Sequence, residues 1–529
     1  MSVATDGFVV WPVDSLEKVF RDAQPGAGEV IEVESCRNEF ASAQVVVRAA
    51  KTLRDLRVTV SPLKHKESGA AGVEATARFV GYVPVAANTP DTPAEELDCT
   101  APCLVPDPLL MDEALSVDVE SSQPVWLTIF VPAGAPPGVW TGTVLVKAGG
   151  EAATIPLRLL VHPVTIPQAR HLMVTNWMNT GHYAKFYGTE RYSPRFWQVV
   201  ESYARNVAAH RQNVIPSWDW PHIWQESDGK LTFDYSDFDR WIETFMQAGC
   251  GDMIEGGGFG KRGLGKWEVP WFEWKEFTVR RRDGARVRPD PQTVIQELVL
   301  SLVAHMKERG WFDRFVMHVV DEPAPHTEAD YKRKSRLIHE LAPGVRFLEA
   351  MSLLDARGHL DIWVPNLDHF DEHREHYLEL REEAGFELWF YTCMYPTGRY
   401  PNRFLDFSLL KTRILHWINW RYQLTGYLHW GLNYWTEDPF HSDRIRDSLP
   451  PGDCWIVYPG PDGPIESLRW EQMREGLQDY ELLWLLGQQS REKADQICAG
   501  LVPDPLHYSR DWRQLRAARR AIIEALTAG

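Results

Sequence analysis

The chain has 529 residues, 44% of them hydrophobic and 24% charged, and this composition is typical of a folded globular protein with more than one domain. Its formal net charge of −17 at pH 7 argues against a nucleic-acid partner or an anionic membrane surface, because phosphate groups would repel the protein on average. A neutral substrate fits this charge better.

The N-terminal residues and the cysteines bear on cellular location. Residues 1–13 show no basic segment followed by an apolar core, so we expect either a cytoplasmic protein or a mature exported form that has lost its leader. No apolar run reaches the length of a membrane span. The chain has 7 cysteines, with Cys99 and Cys103 as the one close pair and no zinc-site spacing, which predicts reduced and mostly buried thiols.

Residues 1–165 are predicted to form an all-β sandwich domain that supports the rest of the chain. Short segments of alternating apolar and polar residues are separated by proline and glycine turns, as in sandwich domains. The predicted strands include 44–47, 57–60, 77–83, 125–131, 141–146 and 152–161.

From residue 166 to residue 529 the pattern changes to strands that alternate with long helices, which indicates a parallel sheet. Eight strands are predicted, at 172–177, 214–218, 253–254, 315–320, 346–351, 361–365, 387–393 and 426–435. Helices are predicted at 196–210, 238–247, 291–309, 327–341, 372–383 and 409–421, followed by two more at 467–486 and 511–526. The predicted fold is therefore α/β: a (β/α)8 barrel of the TIM type with C-terminal helices, preceded by the sandwich.

The strand at 315–320 leads to the main chemical candidates. It is an apolar run typical of a strand covered on both faces, and Asp321, Glu322 and Pro323 follow it directly. Neighbouring side chains on a strand point to opposite faces, so the two acids share a site only if the strand unwinds, which Pro323 favours. Two close carboxylates cannot both ionise freely, and a raised pKa suits a general acid. Alternatively, one acid caps the strand end and the other is solvated.

Aromatic and amide residues dominate the other strand ends. The chain contains 23 tryptophans, some of which would stack on sugar rings in a cleft, although core packing explains any single one equally well. In a barrel the carboxyl ends of the strands build the active site. The substrate-binding candidates at these ends are Trp177, Trp218, Asn366, Tyr391, Tyr395, Trp430, Asn433, Tyr434 and Trp435. This set is typical of a carbohydrate-binding cleft.

Other chemistries lack their motifs. The glycines at 256–258 form neither a GxGxxG pattern nor a P-loop, and no serine or cysteine stands in a nucleophile elbow. His318, His369 and His429 are not at the spacing of metal ligands. We therefore predict no cofactor and no metal.

A segment at 261–289 interrupts the β-α pattern. It is rich in Trp, Phe, Lys and Arg, and the Asp283-Gly284 pair lies between alternating segments, which predicts a hairpin-like excursion. Its basic residues would contact either an acidic sugar or a second subunit, so a homo-oligomer is one of two open interpretations.

Short motifs are spread along nearly the whole chain. They are NEF at 38–40 before the strand at 44–47, PGVWTG at 137–142, DEP at 321–323, DIWVPN at 361–366, YPNR at 400–403, WGLNYW at 430–435 and REGLQDYE at 474–481. In this combination the chain resembles glycoside hydrolase family 123, the β-N-acetylgalactosaminidases, and the wider glycosidase-like group that shares their catalytic domain.

The resemblance implies a retaining, exo-acting glycoside hydrolase that removes terminal β-linked N-acetylgalactosamine, or a related N-acetylhexosamine, with the sugar's own acetamido oxygen as nucleophile. By match to the family's acid pair, Asp321 would orient the acetamide and stabilise the oxazolinium-like intermediate. Glu322 would protonate the leaving oxygen and then activate water. Two alternatives stay open: a carboxylate nucleophile such as Glu349 or Glu437 acting on a sugar without a 2-acetamido group, and a non-catalytic glycan-binding protein.

Overall fold

The computed structural model describes residues 2–528 and shows a mixed α/β protein. The chain folds into two compact units, each built from separate parts of the sequence. The first unit contains the residues up to His171, Thr397–Tyr422 and the residues from Asn433 onward, and the second contains Leu172–Pro396 and Gln423–Leu432. The predicted α/β class with a β-rich N-terminal part is confirmed.

Two antiparallel-dominated sheets form the β-rich part of the first unit. Their strands are β1 Val3–Ala4, β2 Phe8–Val13, β3 Ile31–Arg37, β4 Glu39–Ala49, β5 Leu53–Val60, β6 Lys64–His65, β7 Glu74–Val85, β8 Cys103–Leu109, β9 Leu115–Val117, β10 Ser122–Val131, β11 Gly138–Ala148 and β12 Glu151–Thr165. One sheet has the order β1-β2-β4-β10-β7-β8, and the other has the order β3-β12-β11-β5-β9 with β6 paired to β11.

The two sheets share one apolar core, as in a sandwich. Alternate residues of the central strands point into it, such as Val45 and Val47 of β4 and Leu127 and Ile129 of β10. They meet residues of β11 and β12 from the other sheet, including Val144. Burial of these alternating apolar side chains stabilises the pairing register, since a slip by one residue would turn them outward.

Cys99 and Cys103 form a disulfide at the start of β8. The prediction of reduced thiols is therefore wrong for this pair, because the loop between them brings two cysteines four residues apart into contact. The remaining cysteines are free; Cys393 is half-buried and the others are buried.

The second unit alternates strands and helices. Its strands are β13 Met173–Asn176, β14 Val214–Ser217, β15 His222–Gln225, β16 Leu231–Asp234, β17 Met253–Gly256, β18 Gly260–Arg262, β19 Phe272–Trp274, β20 Val279–Arg281, β21 Arg286–Val287, β22 Phe315–Met317, β23 Arg346–Met351, β24 Ile362–Pro365, β25 Glu387–Leu388, β26 Phe390–Tyr391 and β27 Gly426–His429. Its helices are α1 Thr180–Phe186, α2 Pro194–Ala209, α3 Ser236–Gln247, α4 Pro291–Glu308, α5 Glu328–Leu341, α6 Leu367–Glu372 and α7 Arg374–Ala384.

The parallel strands of this unit form two sheets, β14-β17-β22-β23-β24-β25 and β13-β27-β26. Apolar residues of both sheets share one core, including Val316 of β22, Leu348 of β23 and Leu428 of β27. The predicted eight-stranded barrel is seen only in part. Within residues 2–528 no hydrogen-bonded ladder joins β13 to β14. The strand predicted at 387–393 is interrupted at Trp389: its first half, β25, pairs with β24, and its second half, β26, pairs with β27.

The segment at 261–289 folds into two hairpins, which confirms its predicted hairpin character. β18 pairs with β19, and β20 pairs with β21 around a turn in which Gly284 has a φ of +88°. This left-handed conformation explains the glycine. β20 also pairs with β15, so the insertion joins the excursion that follows β14 in a sheet of order β16-β15-β20-β21.

Helices complete the first unit. They are α8 Leu409–Tyr422, α9 Leu468–Gln489, α10 Arg491–Leu501 and α11 Trp512–Thr527, with β28 Tyr458–Pro459 paired to β29 Pro464–Ile465. Sequence patterns predict all of these helices except α10. None of the helices within residues 2–528 combines the length and the apolar character that a bilayer crossing requires.

Candidate active site

The acid pair lies beyond the end of β22. The strand ends at Met317, and the chain continues in irregular conformation to Asp321 and Glu322. Glu322 has a φ of +47°, in the left-handed region that residues with side chains rarely adopt, and the Arg262 guanidinium donates to its backbone oxygen. Because the strand has already ended, the two neighbouring acids are not forced to opposite faces of a sheet.

Tyr391, at the end of β26, orients Glu322. Its hydroxyl donates a hydrogen bond to Glu322 Oε1 at 2.7 Å. Burial and then the negative charge of Glu322 raise the pKa of Tyr391 well above its ordinary value, so the phenol keeps its proton at neutral pH. The hydrogen bond therefore holds the Glu322 carboxyl group in place.

The pKa of Asp321 is raised above its ordinary value. Its side chain reaches solvent, but the surrounding protein limits its hydration. This desolvation, followed by the charge of Glu322, raises the pKa of Asp321 to about 7, while the cations His318 and Lys275 oppose the rise. The raised pKa thus lies on Asp321, whereas the resemblance assigns the catalytic proton to Glu322. Because the two carboxyl groups are adjacent, the charge of Glu322 favours retention of a proton at Asp321.

His318 is clamped between two buried carboxylates. Its Nδ1 lies 2.9 Å from Glu349 Oε2, and its Nε2 lies 2.8 Å from Glu255 Oε1. Burial favours the neutral ring, but the two hydrogen bonds to carboxylates outweigh it and raise the pKa of His318 to about 10. The ring is therefore an imidazolium at neutral pH that donates from both nitrogens.

Both carboxylates of this cluster have their oxygens occupied. Glu349 Oε1 accepts from the backbone N–H groups of Val319 at 2.5 Å and Val320 at 3.1 Å. Glu255 Oε2 accepts from the Thr175 hydroxyl at 2.5 Å, and its Oε1 accepts from the Trp177 indole at 2.8 Å. These contacts fix the backbone that carries the acid pair.

Sequence motifs do not reveal this cluster. His318 is separated by 63 residues from Glu255 and by 31 from Glu349. The usable signal is the strand order, because β17, β22 and β23 are parallel neighbours in the sheet and each has one of these ionisable residues within or just after it.

Two of the predicted sugar-binding indoles surround His318. The ring centroids of Trp177 and Trp218 lie 5.8 Å and 5.5 Å from that of His318, and the two indoles meet edge to face at 4.8 Å. Both are half-buried, so part of each indole is accessible to solvent.

Three further predicted residues lie on the loops after β24, β26 and β27. Asn366 forms a parallel bridge with Tyr391, and its side-chain amide donates to the backbone oxygen of Tyr395 at 3.2 Å. The Tyr395 side chain is 50% exposed. Trp430 follows β27 directly and is half-buried.

The remaining predicted residues, Asn433, Tyr434 and Trp435, belong to the first unit. Trp435 is buried there, and its indole donates to the backbone oxygen of Val457 at 2.7 Å. Tyr434 donates its backbone N–H to the oxygen of Cys454 at 3.0 Å. Their part in substrate binding stays a prediction.

The prediction that His369 has no metal-ligand spacing is wrong in one respect. It forms a group of potential metal ligands with Glu372 and His373. Their ligand atoms lie within 4.8 Å of one another, because one helical turn brings residues three and four positions apart to the same side. Glu372 is exposed, and such groups are common without an ion.

Family models match most of the chain. The model described as glycoside hydrolase 123, catalytic domain, matches residues 177–486, and the one described as glycoside hydrolase 123 N-terminal domain matches residues 18–148. The chain belongs to glycoside hydrolase family 123. The predicted family and the predicted class of enzyme, a glycoside hydrolase, are confirmed, and the acid pair lies within the catalytic domain.

One solved structure is similar to this chain at the level of the fold. A family 123 glycoside hydrolase from Clostridium perfringens, studied for glycolipid glycan hydrolysis, has a TM-score of 0.77 and 14% identity over 98% of this chain and 97% of its own. The apo β-glucuronidase 3 of Bacteroides uniformis has a TM-score of only 0.30 and 9% identity, over 85% of this chain and 52% of its own. Comparison with curated proteins finds no match.

Proposed function

We propose that this family 123 hydrolase removes terminal β-linked N-acetylgalactosamine, or a related N-acetylhexosamine, with retention of configuration. The observation that carries the proposal is the acid pair: Asp321 and Glu322 are consecutive, Tyr391 orients Glu322, and the pair retains a proton up to about pH 7. A pair with one proton supplies one charged and one protonated carboxyl group, which substrate-assisted hydrolysis requires.

The proposed reaction has two steps, and the two acids have different roles in it. In the first, the carbonyl oxygen of the sugar's 2-acetamido group attacks the anomeric carbon, and the bond from that carbon to the glycosidic oxygen breaks. Ionised Asp321 accepts a hydrogen bond from the acetamide N–H, and Glu322 gives its proton to the leaving glycosidic oxygen. In the second, Glu322 takes a proton from water, and the water oxygen attacks the anomeric carbon and opens the oxazolinium ring. Two inversions at one carbon give net retention.

The contacts of Glu349 favour this mechanism over a protein nucleophile. Both of its oxygens accept hydrogen bonds, from His318 and from backbone N–H groups, and the side chain is fully buried. An attack on a sugar carbon would break these hydrogen bonds and leave the His318 cation with one partner fewer. Glu437, the other candidate, is an exposed residue of the first unit.

The Clostridium perfringens relative suggests the first natural substrates to test. That enzyme is described as acting on glycolipid glycans. Glycolipid glycans that end in β-linked N-acetylgalactosamine are therefore the first substrates we would assay with this chain.

We also propose that the two parallel sheets of the second unit form one interrupted (β/α)8 barrel. Their side chains share one core, and helices connect most of the successive strands. Acidic residues beyond the carboxyl end of a strand are where barrel enzymes carry their chemistry.

The test is a panel of aryl glycosides, comparing β-N-acetylgalactosaminide, β-N-acetylglucosaminide, β-galactoside and their α-anomers. We expect turnover of the β-N-acetylhexosaminides alone and tight inhibition by the thiazoline analogue of the product sugar. Asp321→Asn and Glu322→Gln should each lower kcat by about 100-fold to 10,000-fold, the usual contribution of a general acid or base.

The leaving group separates the two roles. Glu322→Gln should lose less activity on a nitrophenyl glycoside than on a disaccharide, because nitrophenolate leaves without a proton. Asp321→Asn should lose about the same factor of activity on both substrates, because the acetamide group must be oriented whichever group leaves. Melting curves establish that the variants fold, and turnover of the β-galactoside would refute the substrate-assisted mechanism.

A further inference from the structure

A second open space lies within the second unit, formed by the excursion after β14 and the insertion that carries β18–β21. The cavity has a volume of about 870 Å³. Trp220, Trp224 and Phe277 contribute aromatic surface, and each is half-buried. Trp220 and Phe277 meet edge to face with ring centroids 5.2 Å apart. A half-exposed aromatic lining of this kind suits a sugar ring. We refer to this space as the basic cleft.

The charge of the basic cleft is opposite to that of the protein. Residues 261–288 contain nine basic and four acidic residues, in a chain whose formal net charge is −17. The cleft is lined by one carboxylate, Glu276, and by four basic side chains, Lys261, Lys275, Arg280 and Arg286.

Three of these cations have no carboxylate partner. Lys261 pairs with Glu273 at 3.5 Å, but within residues 2–528 no ion pair or side-chain hydrogen bond involves Lys275, Arg280 or Arg286. An acidic protein with a cluster of unpaired cations at one place attracts anions locally, and guanidinium groups match carboxylate and sulfate in shape.

The basic cleft adjoins the acid pair through β18. Phe259 and Gly260 donate their backbone N–H groups to the oxygen of Val319, two residues before Asp321, at 2.9 Å and 2.8 Å. Lys275 donates its backbone N–H to the oxygen of Phe259 at 2.7 Å. Burial lowers the pKa of Lys275, and the charge of Asp321 opposes this change. Lys275, which lines the cleft, is therefore close enough to Asp321 for the two charges to interact.

We propose that the basic cleft binds an anionic group, a carboxylate or a sulfate, on the sugar to which the cleaved residue is attached. The aromatic side chains contact the ring of that sugar, and Arg280 and Arg286 bind its anion. This inference rests on the proposed function, because it specifies the sugar on the leaving-group side of the same reaction.

The experiment compares three substrates: β-N-acetylgalactosamine linked to glucuronate, to galactose 6-sulfate and to unmodified galactose. We expect kcat/KM to be at least about tenfold higher for one or both anionic substrates, since a hydrogen bond to a charged group contributes enough free energy for that factor. Comparing kcat/KM for the glucuronate substrate with that for the sulfated substrate shows whether the cleft prefers a carboxylate or a sulfate. Added salt should reduce the preference.

The double variant Arg280→Gln/Arg286→Gln should bring the preference for the anionic substrate close to unity. Arg281→Gln is the matched control, because Arg281 lies on the same hairpin but does not line the cleft. The ratio between substrates is the readout, so a general loss of activity does not imitate the effect. No preference in the unmodified enzyme, or an unchanged preference in the double variant, would overturn the proposal.

A binding measurement tests the cleft independently of the proposed hydrolysis. If none of the three substrates is hydrolysed, the proposed function fails, and calorimetric titration of the full chain with the glucuronate disaccharide still tests the cleft. The expected result is binding that weakens about tenfold or more in the double variant and not in Arg281→Gln. Equal affinity in all three proteins, or no binding to any of them, counts against the cleft.

Discussion

Asp321 and Glu322 are consecutive residues, so their charges repel each other whenever both are ionised. The raised pKa of Asp321 keeps one proton on the pair up to about pH 7, and the proposed mechanism needs that proton. We therefore predict that kcat/KM on a neutral aryl β-N-acetylgalactosaminide falls as the pH rises through about 7. In Glu322→Gln the repelling charge is gone, and the residual activity should lose this alkaline limb. A profile that stays flat from neutral into alkaline pH would contradict the retained proton.

The sequence identifies part of this site and not the rest, for a physical reason. Asp321 and Glu322 can be found because an apolar strand runs directly into them. His318 interacts with Glu255 and Glu349 only after three separate strands pair in register, and nothing local in the chain encodes that pairing. Buried charges on neighbouring strands are visible once the strand order is known.

Elements with a strong local sequence pattern, either an apolar run or an amphipathic period, could be predicted closely. The predicted strand at 346–351 coincides with β23, and the helix predicted at 238–247 begins two residues later than α3 and ends with it. Helix α8 shows little amphipathic pattern, because Lys411, Arg413, His416 and Asn419 are buried together with its apolar residues. The carboxylate partners of Lys411 and Arg413 lie far away in the sequence, so the burial of this helix could not be predicted from its own residues.

The close approach of α8 and α9 leads to a prediction. A Cβ atom at Gly476 would lie 2.5 Å from the backbone oxygen of Arg413, so the two helices would have to separate. We expect Gly476→Ala to lower the free energy of unfolding by about 1 to 3 kcal/mol, the usual cost of overpacking. Gly500→Ala in α10 is the matched control, since a Cβ there meets nothing within 4 Å and alanine favours a helix. Urea denaturation measures both, and equal stability of the two variants would contradict the prediction.

At the scale of the whole molecule, the first unit joins the two ends of the chain through buried ion pairs. Arg519 of α11 donates to Glu39 of β4, 480 residues away, and to Asp479 of α9. Arg413 of α8 donates to both oxygens of Asp479, at 2.8 Å and 3.0 Å. These contacts account for two of the motifs that resemble the family, NEF at 38–40 and REGLQDYE at 474–481, as parts of the buried structure of this unit.

Asp479 makes this ion-pair network sensitive to acid. Burial opposes its ionisation, but the charges of Arg413 and Arg519 outweigh this effect and hold the pKa of Asp479 at about 2, below its ordinary value of 3.8. Its contribution to stability is therefore present above about pH 4 and is lost as the pH falls toward 2. At neutral pH, Asp479→Asn should cost about 3 to 5 kcal/mol of the free energy of unfolding, because it removes one of the two carboxylate partners from each of two buried guanidinium groups, leaving Arg413 with Glu475 and Arg519 with Glu39. The difference between wild type and variant should shrink as the pH is lowered, whereas Glu67→Gln, at an exposed position of the same unit, should match the wild type throughout. A difference that stays constant with pH would show that the charge of Asp479 does not stabilise the fold.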